Sequence, residues 1–278
     1  MSIGEAELQE AWNLVLERFP FPEYIKTPRN HVDVPRTIAR YLPPGSRVLD
    51  FGAGPADKTG VAAAAGFKCT AMDDLQDSWH KKPQTRQAIL DYAANMGIDY
   101  ITLNGQETLP PTTGEFDMVM THDVVEHLHD PPRYIFNDLM ARVRTGGYFY
   151  MTVPNAVNIR KRIAVLFGKT NHPRYEVYYW APIPFRGHLR EYTRDDCIKL
   201  AEALGLEVVE IKGWHQGLGR VPKGLKTVYK AFSALAPNTR DSWRLVARKP
   251  PGWQPKLELT EAEMLEQTGL TCWDDLGH

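Results

Sequence analysis

The stretch "VLDFGAGPADKTG" (48–60) limits the fold more than any other part of the chain. It reads as an apolar strand, a turn built on Gly52 and Gly54, and the start of a helix. Glycine permits a tight turn and lets a ligand approach the backbone, and the helix beyond it offers unpaired N–H groups. In dinucleotide-binding loops a third glycine packs helix on strand beside a pyrophosphate. That position is Asp57 here, whose carboxylate repels a diphosphate. Asp50 stands two residues before the first glycine, where a carboxylate suits a cationic group such as the ammonium of an amino acid. The next strand ends in "AMDD", so Asp73 or Asp74 stands where an acid binds ribose hydroxyls. The plainer reading of these residues is a generic turn with solvated strand-end acids.

The rest of the chain repeats the strand–helix rhythm. Short β-rich runs at 46–52, 67–72, 99–104, 116–121 and 146–154 alternate with the helical patterns "KTGVAAAAG", "TRQAILDYAANMG" and "PRYIFNDLMARVRTGG", each ending in glycine. Such alternation predicts βαβ units and a parallel sheet covered by helices on both faces. A helix capped by Thr193 (193–205), a strand (206–213) and a final strand (242–249) follow. Three segments stand outside the rhythm: two helices within 1–43, a basic and aromatic insert at 155–192, and a tail at 250–278 whose helix is capped by Thr260 and Glu263. We expect one domain over 1–249 followed by this tail.

Composition excludes little but does so usefully. A net charge of −1 gives no global reason to expect a polyanion partner. Cys69, Cys197 and Cys272 are far apart, which argues against a disulfide framework or a thiolate zinc site. The acidic amphipathic start has no apolar signal core, and no apolar run approaches the roughly 20 residues of a membrane helix. We therefore expect a soluble, cytoplasmic protein.

"THDVVEHLHDPP" (121–132) crowds acids and imidazoles after the fourth strand. Thr121 and His122 end that strand, where ligands bind in open α/β sheets. On a helix, Asp123, Glu126 and His127 share one face. Three readings stand: a divalent-metal site of Asp123, Glu126 and His127; a general base, His127, oriented by Asp123; or acids at a helix start. His122 and His129 read as surface or loop residues.

In the insert, Arg160, Lys161, Arg162, Lys169 and Arg174 alternate with Tyr175, Tyr178, Tyr179, Trp180 and Phe185. Aromatic faces with a few cations suit a polar ring, a sugar or an anionic group. Single-stranded nucleic acid would use the same mixture, but no RNA-binding module accompanies it. The bland alternative is a lid helix with a solvated basic face. His188, in "GHLREYT", is the rival candidate for general base.

Three motifs together resemble the class I S-adenosylmethionine-dependent methyltransferases, in the branch of the ubiquinone-biosynthesis and the sugar or natural-product O-methyltransferases. They are "VLDFGAGPA" with its "AMDD" acid, "GEFDMVMTHDVVEHLHDPPRYIFNDLMARVRTGGYFYMTVPN", and "GHLREYTRDDCIKLAEALGLEVVEI". The resemblance implies a Rossmann-like seven-stranded, mostly parallel sheet with its last strand antiparallel, N-terminal helices and a lid-like insert. It implies S-adenosyl-L-methionine bound by Asp50, Gly52, Gly54 and Pro55 at the methionine end and by Asp73 and Asp74 at the ribose, with Thr121 and His122 nearby. The third-strand loop has Gly105 where the family has an aspartate, so Asn104, Gln106 or backbone groups are its remaining adenine contacts. The family pattern E-x-x-E-H reads Asp123-Val-Val-Glu126-His127 here, and some members bind a divalent cation with it. "VPN" stands where amine-methylating enzymes carry Asn-Pro-Pro-aromatic. The expected reaction is methyl transfer to a hydroxyl oxygen of a small molecule or glycan, with His127 or His188 taking the proton. The alternatives are a catalytically inactive methyltransferase-like scaffold and an NAD-dependent oxidoreductase.

Overall fold

The computed structural model describes residues 3–25, 28–103, 109–215, 221 and 223–273. Strands β1 (Arg47–Phe51), β2 (Lys68–Asp73), β3 (Asp99–Thr102), β4 (Phe116–His122), β5 (Val143–Pro154), β6 (Glu207–Trp214) and β7 (Ser242–Arg248) form one seven-stranded sheet in the order β3-β2-β1-β4-β5-β7-β6. The β1–β2, β1–β4, β2–β3 and β4–β5 pairs are parallel, while β7 is antiparallel to both β5 and β6. The expected sheet, with its last strand reversed, is present.

Both faces of the central strands are buried, and the side chains divide between them with period two. Val48, Cys69, Ala71, Met118, Met120 and Tyr150 join a core with helices α1 (Glu5–Arg18), α2 (Pro28–Ile38) and α3 (Asp57–Ala64). The alternate residues Leu49, Met72, Val119, Phe149, Met151 and Val153 face α5 (Arg133–Ala141) and α8 (Arg194–Ala203). Helix α4 (Pro83–Asn95) connects β2 to β3. Chain order reverses between β1 and β4, so their carboxyl ends open a crevice at the centre of the sheet.

The local signals for helix ends were reliable. Thr193 caps α8 and Thr260 caps α10 (Glu261–Thr268), each exchanging bonds with the third helical residue, Asp196 and Glu263. One boundary differs from expectation. The helix before β5 does not run to the glycines but stops at Ala141, and the strand begins at Val143. Gly147 lies inside β5 because a Cβ there would sit 2.8 Å from the Asp117 carbonyl oxygen and 2.6 Å from Val143. The register of β4 against β5 shifts at this point.

The insert carries α6 (Ile159–Leu166) and α7 (Tyr175–Trp180). Between β6 and β7 lies α9 (Lys226–Leu235), which sequence reasoning left unassigned. In the tail, Trp253 donates to the Leu204 carbonyl, and Asn137 exchanges two bonds with the Lys256 backbone. Among the described residues no helix is long and apolar enough to cross a membrane.

Candidate active site

The glycine loop follows β1. Gly52 has φ 74° and Gly54 φ 53°, in the region that favours glycine, and a Cβ at Gly52 would collide with Val124. The Gly54 N–H donates to Asp73 Oδ2 at 2.9 Å, and the Leu75 N–H to Oδ1 at 2.7 Å. These bonds set the end of β2 against the loop. Burial pushes the Asp73 carboxyl above its usual range.

Asp50 is 2 % exposed. Thr59 donates its hydroxyl to Oδ2 at 2.5 Å, while Oδ1 is buried with no hydrogen-bond partner among the described residues. Burial pushes its pKa up to about 7. An orphaned buried carboxylate oxygen is costly alone and is satisfied by a cation. Asp57, expected to repel a diphosphate, is buried and 2.7 Å from Nε2 of His31 on α2, which anchors the N-terminal helices under the loop. That bond holds its carboxyl below the usual range against the opposing effect of burial.

Loop and strand ends enclose a cavity of about 560 Å³, lined by Asp50, Gly52, Gly54, Pro55, Asp73 and Asp74, with Tyr24, Lys58, His122, Asp123, His127 and Arg186. Thr121 does not line it, since its side chain is fully buried in the sheet. Asn104, Gly105 and Gln106 lie outside the described residues. His122, expected at the surface, is buried: its Nδ1 is 3.1 Å from Thr152 Oγ1 and its ring packs edge-on against Tyr150. Burial drives its pKa well down, so the ring is neutral. His129 is exposed, its Nε2 2.6 Å from the Phe185 carbonyl.

The helix expected over Asp123–His127 does not form. Only one 3₁₀ turn, Val125–His127, precedes α5, which begins at Arg133. Pro131 and Pro132 explain this, because the residue before a proline is pushed out of the helical region and proline has no N–H to donate. Asp123 has φ 58° and places Oδ2 3.2 Å from Lys58 Nζ, so it does not orient His127. The partner brought to Glu126 and His127 is instead His188, from the C-terminal end of the insert.

Glu126 is fully buried and neither carboxylate oxygen has a hydrogen-bond partner among the described residues. Its Oε1 lies 4.0 Å from His127 Nε2 and 3.9 Å from His188 Nε2. The outer nitrogens of both rings are engaged: His127 Nδ1 is 2.8 Å from the Arg186 carbonyl, and His188 Nδ1 is 2.9 Å from Glu191 Oε1. Carbonyl and carboxylate oxygens accept, so each Nδ1 carries the hydrogen and each Nε2 turns a lone pair toward Glu126. Burial pushes the His188 pKa down to about 4, assisted by His127 and Lys161. Burial and Asp123 hold the Glu126 carboxyl well above its usual range. The three donor atoms lie within 4.8 Å of one another, one oxygen and two imidazole nitrogens with fixed tautomers. Gaps of 3.9–4.0 Å are too long for hydrogen bonds and close modestly around an ion with bonds of about 2.1 Å, so the residues fit a divalent cation.

A strap at 184–190 closes the mouth. Arg186 reaches Asp74 with two bonds of 2.8 and 3.1 Å and Asp77 with one of 2.8 Å. The Leu189 N–H donates to the Glu126 carbonyl at 2.7 Å. Sequence reasoning missed Arg186 and Lys58. For Lys58 the signal was its place in the first helical turn after the glycine loop; for Arg186, 112 residues from Asp74, there was none.

A family model described as "Methyltransferase domain" matches residues 25–211. The chain belongs to this methyltransferase-domain family. Among its relatives is a ubiquinone biosynthesis O-methyltransferase of Caulobacter sp., 30% identical over 93 residues. That match covers 33% of this chain and 34% of the relative, so the chain spans about a third of that protein's length. In fold, the methyltransferase domain is similar to a cyclopropane-fatty-acyl-phospholipid synthase-like protein from Lactobacillus casei (TM-score 0.57, 15% identity, 88% of this chain and 100% of that one). It is also similar to an N-methyltransferase from Bradyrhizobium japonicum in complex with S-adenosyl-L-homocysteine (TM-score 0.50, 12% identity, 87% and 99%).

Proposed function

We propose that the chain transfers the methyl group of S-adenosyl-L-methionine to a hydroxyl oxygen of a small molecule or glycan. The observation that carries this reading is the buried Oδ1 of Asp50 beside the Gly52–Gly54 turn, which has no hydrogen-bond partner among the described residues and suits the cofactor's ammonium. Asp73, already ordered by two backbone N–H groups, keeps lone pairs for the ribose hydroxyls. The acceptor oxygen attacks the methyl carbon, the carbon–sulfur bond breaks with its electron pair going to sulfur, and neutral S-adenosyl-L-homocysteine departs. The donor is already activated by its sulfonium charge, so the protein's part is alignment, exclusion of water and removal of the hydroxyl proton.

His127 is the better base, because it lines the cavity and the bond from its Nδ1 to the Arg186 carbonyl leaves the Nε2 lone pair to take a proton. His188 and Glu126 stand behind it. A divalent cation on Glu126, His127 and His188, when bound, would acidify a hydroxyl that reaches it. Base and cation draw on the same lone pairs, so they are competing assignments for one trio. Titrating Co²⁺ into wild type and Glu126→Gln separates them: absorption bands in wild type alone mean an ion site, and no bands in either mean a base.

The function itself is tested by calorimetry with S-adenosyl-L-homocysteine, S-adenosyl-L-methionine and NADH. Binding of the first two, and methylation of a phenol or sugar hydroxyl by the third-party assay of released S-adenosyl-L-homocysteine, is the expected result. Absence of binding to both sulfur ligands sinks the reading. Binding without turnover on any acceptor leaves a scaffold.

A further inference from the structure

Among the described residues, the insert and α9 carry the most exposed apolar side chains. Leu166 is 83% exposed, Trp180 79%, Ile183 98% and Leu235 89%. In α9 the pattern is ordered: Val228, Phe232 and Leu235 form an outward stripe at helical spacing, while Tyr229 and Ser233 face inward and are buried. An outward apolar stripe has no counterpart in a helix that only covers a core.

Charge segregates with the apolar surface. Residues 155–192 hold seven Lys and Arg against two acids, and 223–240 hold four against none. These stretches thus carry +5 and +4 in a chain of net −1, so everything else sums to −10. Lys169, Arg174, Lys226 and Lys230 make no ion pair among the described residues. The two stretches are also joined. Arg160, at the start of α6, donates to Asp241 Oδ1 at 2.7 Å, and the Tyr229 hydroxyl of α9 donates to the same oxygen at 3.2 Å. Asn155 reaches the Asn238 carbonyl at 2.9 Å. Both elements therefore root at one end of the sheet.

We infer that this surface seats the protein on an anionic lipid bilayer, with α9 and the insert lying in the interface. Large apolar and aromatic side chains enter the headgroup boundary, where Trp and Tyr are favoured, and the lysines face anionic headgroups. A second copy of the chain is the poorer occupant, because an isologous contact would press like-charged basic faces together. The inference stands apart from the proposed methyl transfer, since it uses no residue of the cavity except through the insert that ends in the strap.

The test is sedimentation of the full chain with vesicles of phosphatidylglycerol and phosphatidylcholine, and with phosphatidylcholine alone. Binding to the anionic vesicles, weakened by salt and by omission of the anionic lipid, is expected. Lys226→Gln with Lys230→Gln should weaken it about thirtyfold, at roughly a factor of five per lysine near the surface. Leu166→Asp with Trp180→Asp, and separately Val228→Asp with Leu235→Asp, should each abolish it while leaving circular dichroism unchanged. Equal binding of wild type and all variants, or no binding to anionic vesicles, overturns the inference. A dimer in sedimentation velocity that the same aspartate variants dissociate assigns the surface to a second copy and overturns it as well.

Discussion

The two ends of the cavity are built by different means. At the glycine-loop end, Asp50, the turn and Asp73 come from two adjacent strands, and backbone N–H groups fix the second acid. At the strap end, His127 and His188 come from segments some sixty residues apart, held by ion pairs of Arg186 and by single hydrogen bonds. The first end is fixed by strand pairing and backbone hydrogen bonds. The second is an assembly of exposed ion pairs and single hydrogen bonds, of the kind worth little individually. Binding at the glycine-loop end should therefore depend on single residues, whereas closure of the strap should depend on many small contacts.

The largest effect expected is on chemistry. His127→Ala should lower turnover at saturating cofactor by about 10² or more, as loss of a general base does, with cofactor affinity unchanged. Single-turnover assays beside calorimetry check both parts; if His188→Ala falls further than His127→Ala, the roles of the two rings are reversed. Next, Asp50→Asn should weaken S-adenosyl-L-homocysteine binding by about a hundredfold, the usual cost of removing one partner of a buried charge pair. Retained affinity there would remove the contrast between the two ends.

A pH series sharpens the same point. Asp50 titrates near 7 without ligand, and a ligand ammonium prefers the carboxylate form. Affinity should therefore be level above pH 7 and fall about tenfold for each unit below it. The linkage to stability has the opposite sense: a carboxyl whose pKa is raised by folding favours the fold at low pH and loses that contribution as pH rises through 7. Asp50→Asn should accordingly raise the melting temperature of the ligand-free protein at pH 8 more than at pH 5. Differential scanning calorimetry at both values measures this. The smallest effect is expected at the strap, where Arg186→Ala should speed cofactor dissociation by a few-fold without altering the chemical step, because its partners Asp74 and Asp77 are partly exposed. Stopped-flow displacement of the bound cofactor checks it.

How much was legible follows the range of the interaction. The strands, the positive φ of Gly52 and Gly54, and the capping boxes at Thr193 and Thr260 each depend on a few neighbouring residues, and all were readable. The "DPP" run after His129 is equally local; it converts the expected helical face of Asp123, Glu126 and His127 into one 3₁₀ turn. Helix α9 was overlooked because its apolar stripe faces out, so no burial pattern of the expected kind announces it.

By itself the sequence determined the layered sheet, the glycine turn after β1 and the acids at the ends of β1 and β2, because alternation, glycine freedom and caps act through adjacent residues. Only the tertiary structure decided that Asp123 turns to Lys58, that Glu126 faces two imidazole lone pairs, and that Arg186 clasps Asp74. Those choices rest on side chains brought together from distant segments, where charge, burial and the direction of a single hydrogen bond select the partner and spacing along the chain carries no record of it.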